Sequence, residues 1–184
     1  MVNKLSFSFE GEDKIIYRYF GNRKGRYFDL GSGHPIIYSN TYFLYLKGWR
    51  GVCVDAHEPN ISKANFWRSA DINLHSIVAD GKEHPYYEFK ESSLNTINPG
   101  RAMSLGELYP SMMVSTVDAN FLIRAYNLQD VEIFDCDIED YDIVKLIDWS
   151  VFKPEVVMLE RTEFKNPGYK LYAQTSKNKI YVRK

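Results

Sequence analysis

The sequence predicts an α/β fold, a mostly parallel sheet with helices on both faces that ends in an antiparallel β-hairpin. Three observations lead there. Short β-prone runs alternate with amphipathic helical segments through most of the chain. The run Tyr27-Phe28-Asp29-Leu30-Gly31-Ser32-Gly33 is followed, about 20 residues on, by Gly51-Val52-Cys53-Val54-Asp55-Ala56, the spacing of a nucleotide-binding βαβ unit. Two β-prone runs then close the chain around Ser176-Lys177-Asn178.

The elements are justified in order. Residues 10–20 place Ile15, Ile16, Tyr19 and Phe20 at helical spacing, with Ser8 available as a cap and Glu12 and Asp13 in the first turn. Strand one is expected at 27–30 and strand two at 52–55. The helix between them spans 41–47, where Ser39-Asn40-Thr41 supplies capping side chains and Gly48 a stop. A helix at 61–69 and strand three at 74–79 extend the alternation. Residues 80–114 break it with Gly81, Pro85, Pro99, Gly100, Gly106 and Pro110, so this segment is expected to be irregular and to serve a function. A helix resumes at 116–128, with Ser115 and Asp118 resembling a capping box. Strand four at 131–136, a helix at about 141–149 and strand five at 155–160 follow. The hairpin pairs 169–175 with 179–183.

At 184 residues one domain is expected. Lys plus Arg total 23 against 24 for Asp plus Glu, so no global field attracts nucleic acid or an anionic membrane. The first residues show no apolar run after a basic start, and no stretch approaches the roughly 20 apolar residues of a membrane span. Cys53 and Cys136 lack C-x-x-C spacing and fall in expected strands, as small core residues would. A soluble protein in the reducing cytoplasm is the expectation.

In the βαβ unit, glycines at the end of strand one let a ligand approach bare backbone, and a carboxylate at the tip of strand two suits the paired hydrogen bonds of a ribose diol. Two glycines after a strand also occur in ordinary turns. Acids at both strand tips, Asp29 and Asp55, with a helix between them, favour a cofactor site.

From end to end the chain resembles the FkbM-type S-adenosylmethionine-dependent methyltransferases, most of whose characterised members methylate hydroxyl groups of sugars and related natural products. Phe7-Ser8-Phe9-Glu10-Gly11-Glu12-Asp13 is similar to the family's F-S-Q-x-G-E-D opening, with Phe9 in place of Gln. Gly25 to Pro35, Tyr38-Ser39-Asn40-Thr41, Lys47-Gly48-Trp49-Arg50-Gly51 and Val54-Asp55-Ala56 follow in the family's order. Asp137-Ile138-Glu139-Asp140-Tyr141-Asp142 resembles its D-x-E-G-x-E element, with Asp140 for Gly and Asp142 for Glu, departures that bear on the acceptor side more than on the cofactor side. Met158-Leu159-Glu160 and Pro167-Gly168-Tyr169-Lys170-Leu171 complete the series. The resemblance implies a Rossmann-like methyltransferase sheet, and the terminal hairpin points the same way, because nicotinamide-binding sheets usually continue in parallel strands.

The resemblance also implies the site. Asp29, Gly31, Ser32 and Gly33 would lie under the methionine and ribose portions of S-adenosylmethionine, Asp55 with Ala56 at the ribose, and Asp80 near the adenine. Asn40 and Thr41 would meet the donor's carboxylate with free amides at a helix start, or serve as plain caps. A sugar hydroxyl is a poor nucleophile, so a positioned base helps. The candidates are Asp137, Glu139, His34 and His57. Glu139, Asp140 and Asp142 could instead complement a helix terminus. The acidic cluster is also suited to Mg2+, although a required metal is not favoured. The expected partner is a small-molecule or glycan acceptor, for which 80–114, with Tyr86, Tyr87, Phe89, Asn95, Thr96, Asn98, Arg101 and Tyr109, offers a mixed aromatic and polar surface. Two alternatives stand beside this one. One is a non-catalytic binding or scaffold protein of the same fold. The other is an NAD(P)-binding oxidoreductase, weakened because the third glycine of G-x-G-x-x-G would fall at Ile36.

Overall fold

The computed structural model describes residues 6–138 and 143–184. In chain order its elements are α1 (Glu12–Phe20), β1 (Arg26–Leu30), α2 (Tyr42–Leu46), β2 (Arg50–Asp55), α3 (Glu58–Trp67), β3 (Ile72–His75), β4 (Val78–Ala79), β5 (Glu83–Tyr86), α4 (Pro99–Ser104), β6 (Met112–Ser115), β7 (Val117–Asp118), α5 (Ala119–Ala125), β8 (Ile133–Cys136), α6 (Ile143–Leu146), β9 (Val156–Glu160), β10 (Tyr169–Gln174) and β11 (Asn178–Arg183). A 3-10 turn covers Ser92–Leu94.

Seven strands form one sheet in the order β10-β11-β9-β8-β1-β2-β3. From β9 to β3 the neighbours are parallel. The hairpin strand β11 runs against both β9 and β10 and lies between them, so β10 points the same way as β9. Strand alternation sorts the core into two layers. Phe28, Leu30, Val52, Val54, Phe134 and Val157 face α5 and α6, with Ala119, Leu122, Ile123 and Ile143 packed on them. Tyr27, Cys53, Ile133, Val156 and Met158 face α1, Leu44 of α2 and Trp49, with Ile16 and Phe20 supplied by α1. Strands buried on both faces read as near-continuous apolar runs, as these do. Gly51 is needed where β2 crosses Tyr27, because a Cβ there would lie 2.0 Å from the Tyr27 ring.

The structure revises the expected elements at four places. First, the run 74–79 is not one strand. The chain leaves the sheet after His75, and β4 pairs instead with β7 in a separate parallel pair. Second, α5 starts at Ala119 rather than 116, because Val117 and Asp118 are drawn into that pair and Asp118 caps the helix through Asn120 N–H at 3.0 Å. Third, α3 begins three residues before the expected 61, with Pro59 in its first turn, where the missing N–H costs nothing. Fourth, 80–114 is largely ordered. β5 and β6 pair antiparallel in the register His84↔Val114, and α4 is capped by Asn98 Oδ1, which accepts from the amides of Gly100 and Arg101. Of the prolines and glycines that suggested irregularity, Pro99 opens α4 and Gly106 and Pro110 lie between α4 and β6, whereas Pro85 sits within β5. Both cysteines are buried and free.

Candidate functional site

After Leu30 the chain turns through Gly31 and Gly33, at φ +77° and +59°, where a side chain would be strained. The Gly31 and Ser32 amides donate to the Val54 carbonyl at 2.9 and 3.1 Å, so the turn is stitched to the tip of β2. A Cβ on Gly31 would come within 3.2 Å of the Asp137 backbone carbonyl. Among the described residues, chain neighbours aside, a Cβ on Gly33 would meet only the Gly31 carbonyl oxygen, at 3.9 Å. Its N–H donates to Asp55 Oδ2 at 2.7 Å, while Asp55 Oδ1 accepts from the His57 amide at 2.8 Å and Asn60 Nδ2 at 3.3 Å. A carboxylate offers about four acceptor positions, so these three donors leave room on Oδ2 for a ligand hydroxyl.

A cleft of about 680 Å³ opens along this carboxyl edge. Gly31, Gly33 and His34 follow β1, Asp55, Ala56 and His57 follow β2, Asp137 and Ile138 follow β8, and Glu160 and Arg161 end β9. The far wall comes from the inserted segment, through Tyr86, residues 91–97 and Arg101, and Lys177 reaches in from the terminal hairpin. Ligands of open α/β sheets bind outside the carboxyl ends of the strands. A second cavity of about 660 Å³ lies between α6 and residues 161–166.

Beside the cleft, on the α1 and α2 face, lies a buried layer of charge. Asp29 and Asp135 are register partners on β1 and β8. Thr41 donates to Asp29 Oδ2 at 2.5 Å, and the Arg68 guanidinium stands 4.0 Å from the same oxygen. Arg68, only 1% exposed, also holds Asp71 at 2.9 Å and donates to Tyr27 Oη and Thr41 Oγ1, both at 2.9 Å. Burial pushes Asp29 up to about 6 despite Arg68 and Thr41. Burial, then the charges of Asp137 and Asp29, push Asp135 well above the ordinary carboxylate range. Asn40 donates to Asp137 Oδ2 at 3.2 Å and also lowers Asp135 by hydrogen bonding.

The chain matches no protein-family model and no curated protein.

Gly31, Gly33, His34, Asp55, Ala56 and Asp137 meet in the cleft. Asp29 and Thr41 do not open onto it, being 3% and 0% exposed and bonded to each other. Their place is beneath the glycine turn. Asn40 is equally buried and reaches the site through Asp137. Neither Asn40 nor Thr41 caps α2 with its side chain; Ser39 Oγ accepts the Tyr42 amide instead. Ser32 joins the turn by its backbone. Asp80 lies in the turn after β4, where His84 Nε2 sits 2.7 Å from Oδ1 and, as the main cause, brings the carboxyl down to about 2. It is not among the residues lining the cleft.

His34 Nδ1 accepts from the Ile36 and Ile37 amides, both at 3.2 Å, which fixes the neutral ring's proton on Nε2. Burial and Lys63 lower its pKa. This ring can donate a hydrogen bond, but its proton-accepting nitrogen is occupied. Glu139, with Asp140 and Asp142, lies outside the described residues. Among the described residues no group of three or more His, Cys, Asp or Glu side chains comes together to hold a metal, and no helix is long and apolar enough to cross a membrane.

Two residues of this region were not singled out from the sequence. Arg68 follows Trp67 at the end of α3 and reads there as a solvated charge complementing a helix terminus. Its i,i+3 pairing with Asp71 was the available signal. Asp135 was read only as part of a strand. A carboxyl inside an apolar run, beside an acid on the neighbouring strand, marks a place where charge is buried for a purpose.

Proposed function

We propose that this protein is an S-adenosylmethionine-dependent O-methyltransferase acting on a hydroxyl of a sugar or glycosylated small molecule. The observation that carries the proposal is the meeting of Gly31, Gly33 and Asp55 in one cleft at the carboxyl edge, with Asp137 across from them. The sheet supports it, since parallel strands β3 to β9 are followed by a reversed strand inserted before the edge, the ending that distinguishes the methyltransferase variant of a nucleotide-binding sheet. The cleft volume falls in the range of small-molecule and cofactor sites, roughly 300–1,000 Å³.

The residues present fit the cofactor. Asp55 keeps an acceptor position for a ribose hydroxyl, and Gly33 leaves open backbone beside it. Asp137 adds an acidic side chain to the cleft lining, which suits a cationic donor, and Asp29 lies below it beside the guanidinium of Arg68. S-adenosylmethionine, when bound, supplies an electrophilic methyl carried on a sulfonium. In-line displacement asks the protein chiefly for alignment. Asp137, held by Asn40, orients the acceptor hydroxyl and takes its proton at a carboxylate oxygen. His34 donates from Nε2. A cytoplasmic location fits the free, buried cysteines.

Titration with S-adenosylmethionine, S-adenosylhomocysteine, NAD and NADP tests the proposal. Binding of the first two alone is expected. Preferential nicotinamide binding, or binding of none by folded protein, would sink it. Binding without transfer to any of a broad set of acceptors would favour the non-catalytic alternative.

A further inference from the structure

Resting on the methyl-transfer proposal, we infer that Phe9 and Tyr38 form the stacking wall of the acceptor subsite, and that the acceptor presents a pyranose ring with an apolar C–H face. Both rings are exposed, 51% for Phe9 and 67% for Tyr38, yet they pack on each other at 5.3 Å between centroids. They come from separate parts of the chain, the segment before α1 and the connection between β1 and α2. Lys177, which lines the cleft, places its ammonium 4.3 Å from the Phe9 centroid and 3.9 Å from Glu160 Oε1. Tyr38 ends the loop whose Ile36 and Ile37 amides are anchored on His34, another lining residue. Phe9 is thereby tied to the cleft rim through Lys177, and Tyr38 through Phe9, although neither ring is itself a lining residue.

Tyr38 holds φ at +61°. A bulky residue in that region is an outlier, and such strain collects at ligand-binding positions. Burial does not offset it here, since the ring is mostly in solvent. An aromatic face carries negative potential that attracts the weakly positive C–H groups of a sugar ring. Lys177 beside the Phe9 ring, with Glu160 and the Nε2 donor of His34 in the cleft lining, match the hydroxyl rim of the same ring.

The test is saturation-transfer NMR with methyl β-D-glucopyranoside, methyl α-D-mannopyranoside and methyl α-L-rhamnopyranoside, with S-adenosylhomocysteine present. Saturation of ring C–H protons is expected for at least one probe. It should fall severalfold in Phe9→Leu, which keeps apolar bulk without a π face, and in Tyr38→Gly, which relieves the backbone. S-adenosylhomocysteine affinity and melting temperature should stay at the wild-type level. Absence of saturation with all three probes, or undiminished signals in both variants, overturns the wall while leaving cofactor binding standing. Failure of the wild type to bind S-adenosylhomocysteine overturns the underlying proposal and this one with it.

Discussion

Asp55 accepts the Gly33 amide at 2.7 Å and thereby joins the tip of β2 to the turn that leaves β1. The same carboxylate takes the His57 amide at the start of α3, so one side chain positions three segments around the cleft. Replacing it with alanine is expected to weaken S-adenosylhomocysteine binding by about 1.5–3 kcal/mol, the worth of a charge-assisted hydrogen bond. Asp55→Asn should cost less. Calorimetry checks both. Unchanged affinity in a folded Ala variant would remove the ribose assignment.

The two glycines of the turn should separate. Gly31→Ala meets both a positive φ and the Asp137 carbonyl at 3.2 Å, so a loss of roughly 1–3 kcal/mol in stability is expected. Gly33→Ala meets only the positive φ, and its methyl group points into open space. It should melt closer to wild type and show its effect in ligand affinity. Equal melting temperatures for the two variants would contradict this placement.

Arg68 is the counter-ion of a buried acidic layer. Arg68→Met leaves Asp29 and Asp71 without it, a loss of about 3–5 kcal/mol for breaking a buried pair. Melting temperature should drop by on the order of 10 °C. Tyr27→Phe removes one hydroxyl that donates to Asp71 and should cost only about 1–3 kcal/mol. An Arg68→Met protein as stable as wild type would refute the structural role.

Asp29 gives this layer a pH signature. Burial raises its pKa from 3.8 to about 6, so the native state holds the proton more tightly than the unfolded chain. The stability it contributes is full below about pH 4 and lost as pH rises through about 6. Glu12 and Glu155, lowered by their partners, act in the opposite sense, so the informative quantity is the difference from Asp29→Asn. Wild type should lose ground to that variant between pH 4 and pH 6.5. A difference that stays flat or grows over that interval contradicts the shift.

Asp137→Asn should leave S-adenosylhomocysteine affinity nearly unchanged and lower turnover by about 10²–10⁴-fold, the usual cost of removing a positioned base. Glu139→Gln carries the same expectation from sequence alone. Undiminished activity after EDTA would exclude an obligatory, exchangeable Mg2+ at this cluster.

What the sequence made legible was local. Gly31, Gly33 and Asp55 announce themselves because a strand, a glycine turn and a strand-tip acid fall within one βαβ unit. The terminal hairpin is legible for the same reason, its two runs being close in the chain. The pairing of β4 with β7 and of β5 with β6 joins residues far apart in sequence, and no short pattern records it. Burial is likewise non-local. Arg68 is enclosed because Tyr27, Thr41 and Asp71 converge on it, and Thr41, which reads as a cap in the sequence, places its hydroxyl on Asp29. Asp80, placed near the adenine by resemblance, is held by His84 four residues on, a contact that reads as an ordinary turn.

The central claim is that the cofactor lies over the Gly31–Gly33 turn against Asp55. Titrating S-adenosylhomocysteine into isotope-labelled protein and following backbone amide shifts tests it most directly. The largest changes are expected at Gly31, Ser32, Gly33, Asp55, Ala56 and His57. Saturating ligand that leaves those amides unmoved, or that moves residues 162–166 of the second cavity instead, would contradict it.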